Sequence, residues 1–473
     1  MSTERIIQTD IPARMDALPW SRWHWIIVAA LGITWMLDGL EVTLAGAIGA
    51  VLKDPKALHL TDQQVGFSAT SYLLGAVGGA LLFGYGTDRF GRKKLFFLTL
   101  ALYVCATAAT AFSWSFTSYI VFRSITGAGI GGEYAAINSA IDELIPARVR
   151  GRADLVINAT FWIGAALGSG TTIFLLNPKY LPVNLGWRFA FGIGAVLGLG
   201  ILFLRKAVPE SPRWLMIHGR VDDAEKIVHS IEEQISLKAE QDHNTTEIHP
   251  RKHTSFREIA HTMLVVHRRR SILGFVLMIA QAFFYNAIFF TYALVLTRFY
   301  NIPSSRVSIY IFPFALGNIL GPILLGHLFD SIGRKPMIIT TYSLSGILLA
   351  VTGFLFVRGI LTAITQSIAW TAIFFIASCA ASSAYLTVSE IFPLELRAMA
   401  IAIFYSFGTL IGGVGAPALF GYLIGTGSRV HLLYGYLLGA LLMMTGAICE
   451  MFLGIKAERQ SLEAIATPLS GQA

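Results

Sequence analysis

Twelve apolar blocks, each long enough to cross a bilayer as a helix of roughly 20 residues, divide this chain. They lie near residues 22–48, 64–87, 94–112, 117–141, 153–177, 188–206, 271–296, 307–330, 336–357, 364–391, 397–424 and 431–455. The runs are continuous and do not alternate, which predicts helices and excludes barrel strands. Of 473 residues, 14% are charged, against about 25% in a soluble domain. So little polar surface cannot hold this length in water. The expectation is an all-α membrane protein with twelve transmembrane helices in two six-helix pseudo-repeats.

The repeat is read from two motifs. Gly84-Tyr-Gly-Thr-Asp-Arg-Phe-Gly-Arg-Lys-Lys94, between blocks two and three, returns as Gly326-His-Leu-Phe-Asp-Ser-Ile-Gly-Arg-Lys-Pro336 between blocks eight and nine, 242 positions on. Glu143-Leu-Ile-Pro146-Ala-Arg-Val-Arg150 matches Glu390-Ile-Phe-Pro393-Leu-Glu-Leu-Arg397 at an offset of 247. Two motifs at nearly one offset predict a parallel six-plus-six repeat. The expected divisions are 1–206 for the first half, 207–270 for a central loop, and 271–473 for the second half and tail.

Twelve crossings leave both termini on one side. That side holds Arg89, Arg92, Lys93, Lys94, Arg148, Arg150, Arg152, Arg334, Lys335 and Arg397. The opposite short loops hold Lys53, Lys56, Lys179, Arg188, Arg298, Arg306, Arg358 and Arg429. The basic bias places both termini in the cytoplasm and the protein in the cell membrane, with the bilayer as partner. It also accounts for the net charge of +8 without nucleic acid.

In the central loop, Val221, Ala224, Ile227, Val228, Ile231 and Ile235 recur at helical spacing, predicting an amphipathic surface helix. Arg268-Arg-Arg270 ends the loop as an expected lipid-headgroup anchor. Seven of the eleven histidines fall in it at irregular spacing, which reads as a solvated loop and not a metal site. The sequon Asn244-Thr-Thr246 lies on the cytoplasmic side and should stay unglycosylated. Cys105, Cys379 and Cys449 sit inside apolar blocks and form neither a disulfide framework nor a ligand set. The N-terminus has no short apolar segment with a cleavage site, so the first block reads as a helix that stays.

These residues resemble the major facilitator superfamily over nearly the whole chain. Pro209-Glu-Ser-Pro-Arg-Trp-Leu215, Glu390-Ile-Phe-Pro393 and Arg459-Gln-Ser-Leu-Glu-Ala-Ile465 are similar to sugar-porter signatures, although the Pro-Glu-Thr that usually precedes the last is replaced by Ile455-Lys-Ala457. Asp38-Gly-Leu-Glu41 and Gly129-Ile-Gly-Gly-Glu133-Tyr look more like metabolite–proton symporters of aromatic acids and related organic ions. The resemblance implies that Asp88 and Asp330 face the positive ends of helices eleven and five. It implies too that Arg92 and Arg334 reach Glu143 and Glu390. With Arg150 and Arg397, these groups form the expected cytoplasmic gate.

Ionisable residues inside a membrane are costly and mark function. Asp38, Glu41, Arg123 and Glu133 are therefore the candidates for proton coupling. Asp38 and Glu41 share a helix face. At ~1.5 Å per residue, Glu41, Asp38 and Arg123 lie ~10, ~15 and ~9 Å from the outer ends of their helices. Arg123 should pair with one of the two carboxylates. Glu133 lies deeper, on another face, amid glycines 127, 129, 131 and 132 that permit close helix packing.

Helix seven carries Gln281, Tyr285, Asn286, Phe289 and Tyr292, which resemble a sugar-porter pattern altered towards bulk. With Asn158, Trp162, Tyr385, Tyr405 and Arg123 they are the candidate substrate residues, suited to a flat ligand and its carboxylate. No Gly-x-x-x-x-Gly-Lys-Ser/Thr loop appears, and no enzyme activity, cofactor or metal is expected. The chain reads as a secondary transporter of a small organic metabolite, driven by protons. The alternatives are a sugar–proton symporter or facilitator, and a non-transporting sensor on the same scaffold.

Overall fold

Backbone polar groups in lipid must be satisfied within one segment, and this chain meets that demand with helices. The structure, a computed structural model, describes residues 7–205, 208–235, 245–251, 254–289, 291–303 and 306–471. It opens on a short strand, β1 (Ile7–Thr9), and a helix, α1 (Ile11–Ala17). Six long helices follow: α2 (Arg22–Val51), α3 (Asp62–Phe90), α4 (Arg92–Ala111), α5 (Phe116–Leu144), α6 (Arg150–Leu175) and α7 (Val183–Leu204). The middle segment holds α8 (Pro212–Ile217), α9 (Val221–Ile235), β2 (Thr246–Ile248) and α10 (Phe256–His261), extended by a π-helical turn over Thr262–Val266. Asn244, the first residue of the sequon, lies outside the described residues.

The second set is α11 (Arg268–Phe289) with α12 (Tyr292–Tyr300), α13 (Val307–Leu325) with α14 (Leu328–Ser331), α15 (Arg334–Val357) and α16 (Ala363–Glu390). Then come α17 (Arg397–Gly408), continued through a π-helical stretch into α18 (Ala416–Gly425), α19 (Arg429–Leu453) and the tail turn α20 (Leu462–Ile465). Among the described residues, ten helices are long and apolar enough to cross a membrane. The 29-residue α5 and 26-residue α6 have the length and miss on composition. Their inner faces carry the charges and glycines of the interior. Leu82, Val196 and Leu441 are more than 60% exposed on the outside of the bundle, a normal surface only where the solvent is lipid.

One expectation is corrected here. Block seven is not continuous: Thr291 is a turn residue that belongs to neither α11 nor α12. The hydroxyl of Thr291 donates back to the carbonyl of Ala287 four residues earlier, a local bond that competes with the helix ladder.

Helices α3 and α5 pack backbone against backbone. A Cβ at Gly75 or Gly79 would meet the carbonyl oxygen of Ser124 or Ala128 at 2.0 Å, and one at Gly131 would meet that of Ala76 at 1.9 Å. Only glycine allows the backbones to come so near. The middle segment covers the face that carries both termini. There α9 buries Ala224, Val228 and Ile231, as its periodicity predicts, and β2 pairs antiparallel with β1, Ile248 opposite Ile7. Arg14 of α1 ties this layer together with bonds of 2.7 Å to Glu225 and Glu232 of α9. The Glu232 bond leads in raising the Arg14 pKa above its ordinary value. Arg270 is not a free headgroup anchor, since its guanidinium donates to the carbonyls of Ile391 and Ile465 at 2.6 and 2.9 Å. Arg268 and Arg269 stay exposed.

Overpacking a tight contact costs about 1–3 kcal/mol. Gly131→Leu should therefore lower the thermal transition of the purified protein in detergent by several degrees. Gly78→Ala on α3 meets nothing within 4 Å and should leave it unchanged.

Candidate functional site

Two charged sites face each other along the bundle axis. The first lies deep between α2 and α5. Arg123 forms an ion pair with Glu41, both buried, while its guanidinium packs on the ring of Tyr72 at 4.5 Å. Asp38, one turn along α2, has a different environment. Its carboxylate accepts hydrogen bonds from the hydroxyls of Tyr72, at 3.2 Å, and of Tyr134. Glu133 sits apart from both, in an ion pair of 3.1 Å with Arg205 at the end of α7. Arg205 also donates to the carbonyl of Phe96 and the hydroxyl of Thr34. Of the four membrane charges read from the sequence, the structure joins Arg123 and Glu41, surrounds Asp38 with phenols, and gives Glu133 a cation of its own.

Above Asp38 opens a cavity of about 440 Å³, within the usual size for a small-molecule site. Arg123, Asn158, Trp162, Gln281, Tyr285, Asn286, Phe289, Tyr385 and Tyr405 all line it, and so do Trp35, Tyr72 and Tyr134. The rings form one wall. Tyr134 lies 4.5 Å from both Trp35 and Tyr405, and Trp35 lies 5.8 Å from Tyr385. Across from it, Trp162 meets Phe289 edge-on at 5.1 Å. The lining extends to Gly49 and Gly66, near the ends of α2 and α3 away from the terminal face.

Tyr292 is the exception among the candidate ligand residues. It packs on Trp370 at 4.6 Å and donates its hydroxyl to the carbonyl of Tyr310, outside the cavity wall. The turn at Thr291 removes it from the helical phase that would align it with Gln281 and Tyr285. Sequence reasoning passed over Trp35, Tyr72, Tyr134 and Arg205. Trp35 is three residues from Asp38 and so shares its face. Arg205 could have been found as a cation ending an apolar block.

The second site closes the terminal face. The carboxylate of Asp88 accepts from the backbone N–H groups of Ala398 and Met399 at 3.2 and 2.9 Å. Asp330 does the same with Gly151 and Arg152 at 3.1 and 2.8 Å. Each carboxylate thus caps the positive end of a helix in the opposite half, α17 or α6. Arg92 reaches Glu143 at 2.7 Å, and Arg334 reaches Glu390 at 3.1 Å. These pairs lie within one half and do not by themselves hold the halves together. The charge pairs that cross are Arg397 with Glu143 and Arg150 with Glu390, both at 3.5 Å.

The glycines of the two loops, Gly91 and Gly333, have φ of 102° and 122°, a conformation that other residues rarely adopt. Beside each stands a further glutamate. Glu210 accepts from the backbone N–H of Arg92 at 2.9 Å, and Glu458 of the tail accepts from that of Arg334 at 3.4 Å. The tail therefore supplies a carboxylate despite lacking Pro-Glu-Thr. Asp16 of α1 joins the layer, accepting from Arg150 at 3.2 Å and Arg213 at 2.8 Å, and Arg213 pairs on with Glu463.

Comparison with known proteins adds the following. A family model described as "Sugar (and other) transporter" matches residues 25–467. The niacin transporter NiaP of Acinetobacter baylyi is 27% identical over 96% of this chain and 99% of its own length. Myo-inositol transporter 2 of Schizosaccharomyces pombe is 29% identical over 84% of this chain and 72% of its own length. Among solved structures, the proton:xylose symporter XylE superposes with a TM-score of 0.77 at 20% identity, covering 94% of this chain and 98% of that one. Its partially occluded inward-open form scores 0.65, with 90% and 97% covered.

Carboxylate–helix contacts are worth up to about 2 kcal/mol each, and 1.4 kcal/mol is about tenfold in an equilibrium. Asp88→Asn or Asp330→Asn should raise the alkylation rate of a single cysteine at the buried Leu396 position about tenfold. An unchanged rate would show that the caps do not hold the face shut.

Proposed function

As a member of the sugar (and other) transporter family of the major facilitator superfamily, this chain is a multi-pass membrane transporter, not an enzyme, and we propose that it carries an aromatic or other small organic acid by alternating access in symport with protons. The terminal face, with its basic loops, is the cytoplasmic face in this reading, and the closed gate leaves the cavity to the outside. Residues 1–206 and 271–473 are the two halves that rock, with the 207–270 segment between them.

The observation that carries the reading is the pairing of an aromatic-walled cavity with a lone buried carboxylate. Asp38 is held by two phenols, whereas Glu41 already has Arg123. Asp38 can therefore take up a proton without breaking an ion pair. With Asp38 ionised, the trio Asp38, Glu41 and Arg123 carries a net negative charge and repels an anion. With Asp38 protonated the trio is neutral, and Arg123 on the cavity lining can meet a carboxylate. Charge balance then couples one proton to one anion. Glu133 stays with Arg205 and fixes α5 against α7.

The niacin relative supports an aromatic acid. A hydroxyl-rich solute is the second reading, favoured by the amides of Asn158, Gln281 and Asn286 on the cavity lining and by the myo-inositol relative.

Proteoliposomes with an imposed pH gradient, acid outside, test both. Nicotinate or benzoate should accumulate, and Asp38→Asn should flatten the pH dependence of uptake while Glu133→Gln retains it. Accumulation of inositol or xylose without any acid would favour the second reading. No uptake or binding of any organic acid, cation or sugar would favour a sensor.

A further inference from the structure

The closed gate holds more negative charge than its geometry uses. Six carboxylates are buried there: Asp88, Asp142, Glu143, Asp154, Asp330 and Glu390. Four guanidiniums face them, those of Arg92, Arg150, Arg334 and Arg397. Asp88, Glu143, Asp330 and Glu390 have the partners described above, which leaves Asp142 of α5 and Asp154 of α6 as the excess. Both are fully buried, and none of their four carboxylate oxygens has a hydrogen-bond partner. The polar neighbours are committed elsewhere. Ser389, beside Asp142, donates its hydroxyl to the carbonyl of Leu386, and Asn158 donates to the backbone carbonyl of Asp154 instead of its carboxylate.

The fold does not require these acids. At the offset that relates Glu143 to Glu390, the matching positions are Ser389 and Ile401, and both are uncharged and buried. The second half builds the same gate without them. An ionised carboxylate buried without a donor is strongly unfavourable, and here two stand close together beside Glu390.

We propose that Asp142 and Asp154 form a second proton-binding site, filled while the cytoplasmic face is closed and emptied into the cytoplasm when the face opens. Opening parts α6 and α17 from Asp330 and Asp88 and lets water reach both acids. Protons then act as a ligand of the closed state, and cytoplasmic acid holds the gate shut. The charged groups that bear on the pair are few. Arg150 and Arg397 stand beside Asp142, Arg334 lies on the α15 side of Asp154, and Glu390 of α16 faces both. Asp88 and Arg92 are on α3 and α4, Asp330 on α14, and Glu143 next along α5. Arg213 donates to the backbone carbonyl of Asp142 and spends its remaining bonds on Pro12, Asp16 and Glu463.

This inference rests on the alternating-access reading, but its test does not need the substrate. Spin labels at Arg89→Cys and Ile332→Cys, exposed on opposite halves of the terminal face, report the gate as a distance in nanodiscs. A group protonated in one state only shifts the equilibrium by up to about tenfold per pH unit. The wide, open population should rise several-fold from pH 6 to pH 8. In Asp142→Asn with Asp154→Asn it should stay low throughout, because asparagine mimics the neutral acid. Each single variant should show a reduced response, which keeps the test available if the double variant does not fold. Asp38→Asn should keep the gate response while losing proton-driven accumulation of substrate, so failure of the transport reading is told apart from failure of this one. A pH-insensitive gate in the unmodified background, or an unchanged response in the double variant, overturns the proposal.

Discussion

Charge carried into a low-dielectric interior has to be answered where it stands, and most of this molecule is arranged around that demand. The answer takes three forms. Arg123 and Glu41, like Arg205 and Glu133, meet as opposite charges. Asp88 and Asp330 are met by the free N–H groups that begin a helix in the other half. Asp38 is met only by phenols. The first form joins opposite charges inside one half, the second holds only while the two halves touch, and the third leaves a carboxylate with hydroxyl donors alone.

The apolar packing serves the same end. The glycine contacts between α3 and α5 bring backbones together and hold the Arg123 helix against the helix that ends in Asp88. A change at the upper site is thus borne by the two elements that carry the gate. Tyr134 lies on this route, with its hydroxyl on Asp38 and its ring against Trp35 and Tyr405. Tyr405 belongs to α17, whose N-terminus Asp88 caps. Cavity wall, buried carboxylate and gate therefore share members.

The fold was legible in the sequence because lipid leaves few options. Long apolar runs can only be helices, and a motif repeated at constant offset can only be a duplicated half. The Asp88 and Asp330 contacts were implied by the family resemblance that the loop motif carries. Tyr292 was misplaced because a constant helical phase cannot foresee the turn at Thr291. Tyr134 and Tyr72 were passed over because an aromatic residue in an apolar helix looks the same whether it packs or binds. Arg92 pairs with Glu143 and Arg334 with Glu390, each inside its own half, and only three-dimensional placement shows that Arg397 with Glu143 and Arg150 with Glu390 are pairs that cross. Asp16, Arg213 and Glu463 come from segments far apart in the chain, and no local pattern joins them.

The two glutamates that brace the loop glycines differ in how they are held. Glu210 accepts from the N–H groups of Arg92, Lys93 and Ser211, so its hold is local to the first half and the middle segment. Glu458 belongs to the stretch after α19, which is fastened to every part of the terminal face: Arg459 donates to the carbonyl of Asp330, Arg150 of α6 donates to that of Gln460, and Arg213 pairs with Glu463. A separation of the halves has to break or stretch one set of these bonds. Two hasps of like chemistry therefore differ in reach, and the second ties the brace of one half to the fate of the whole layer.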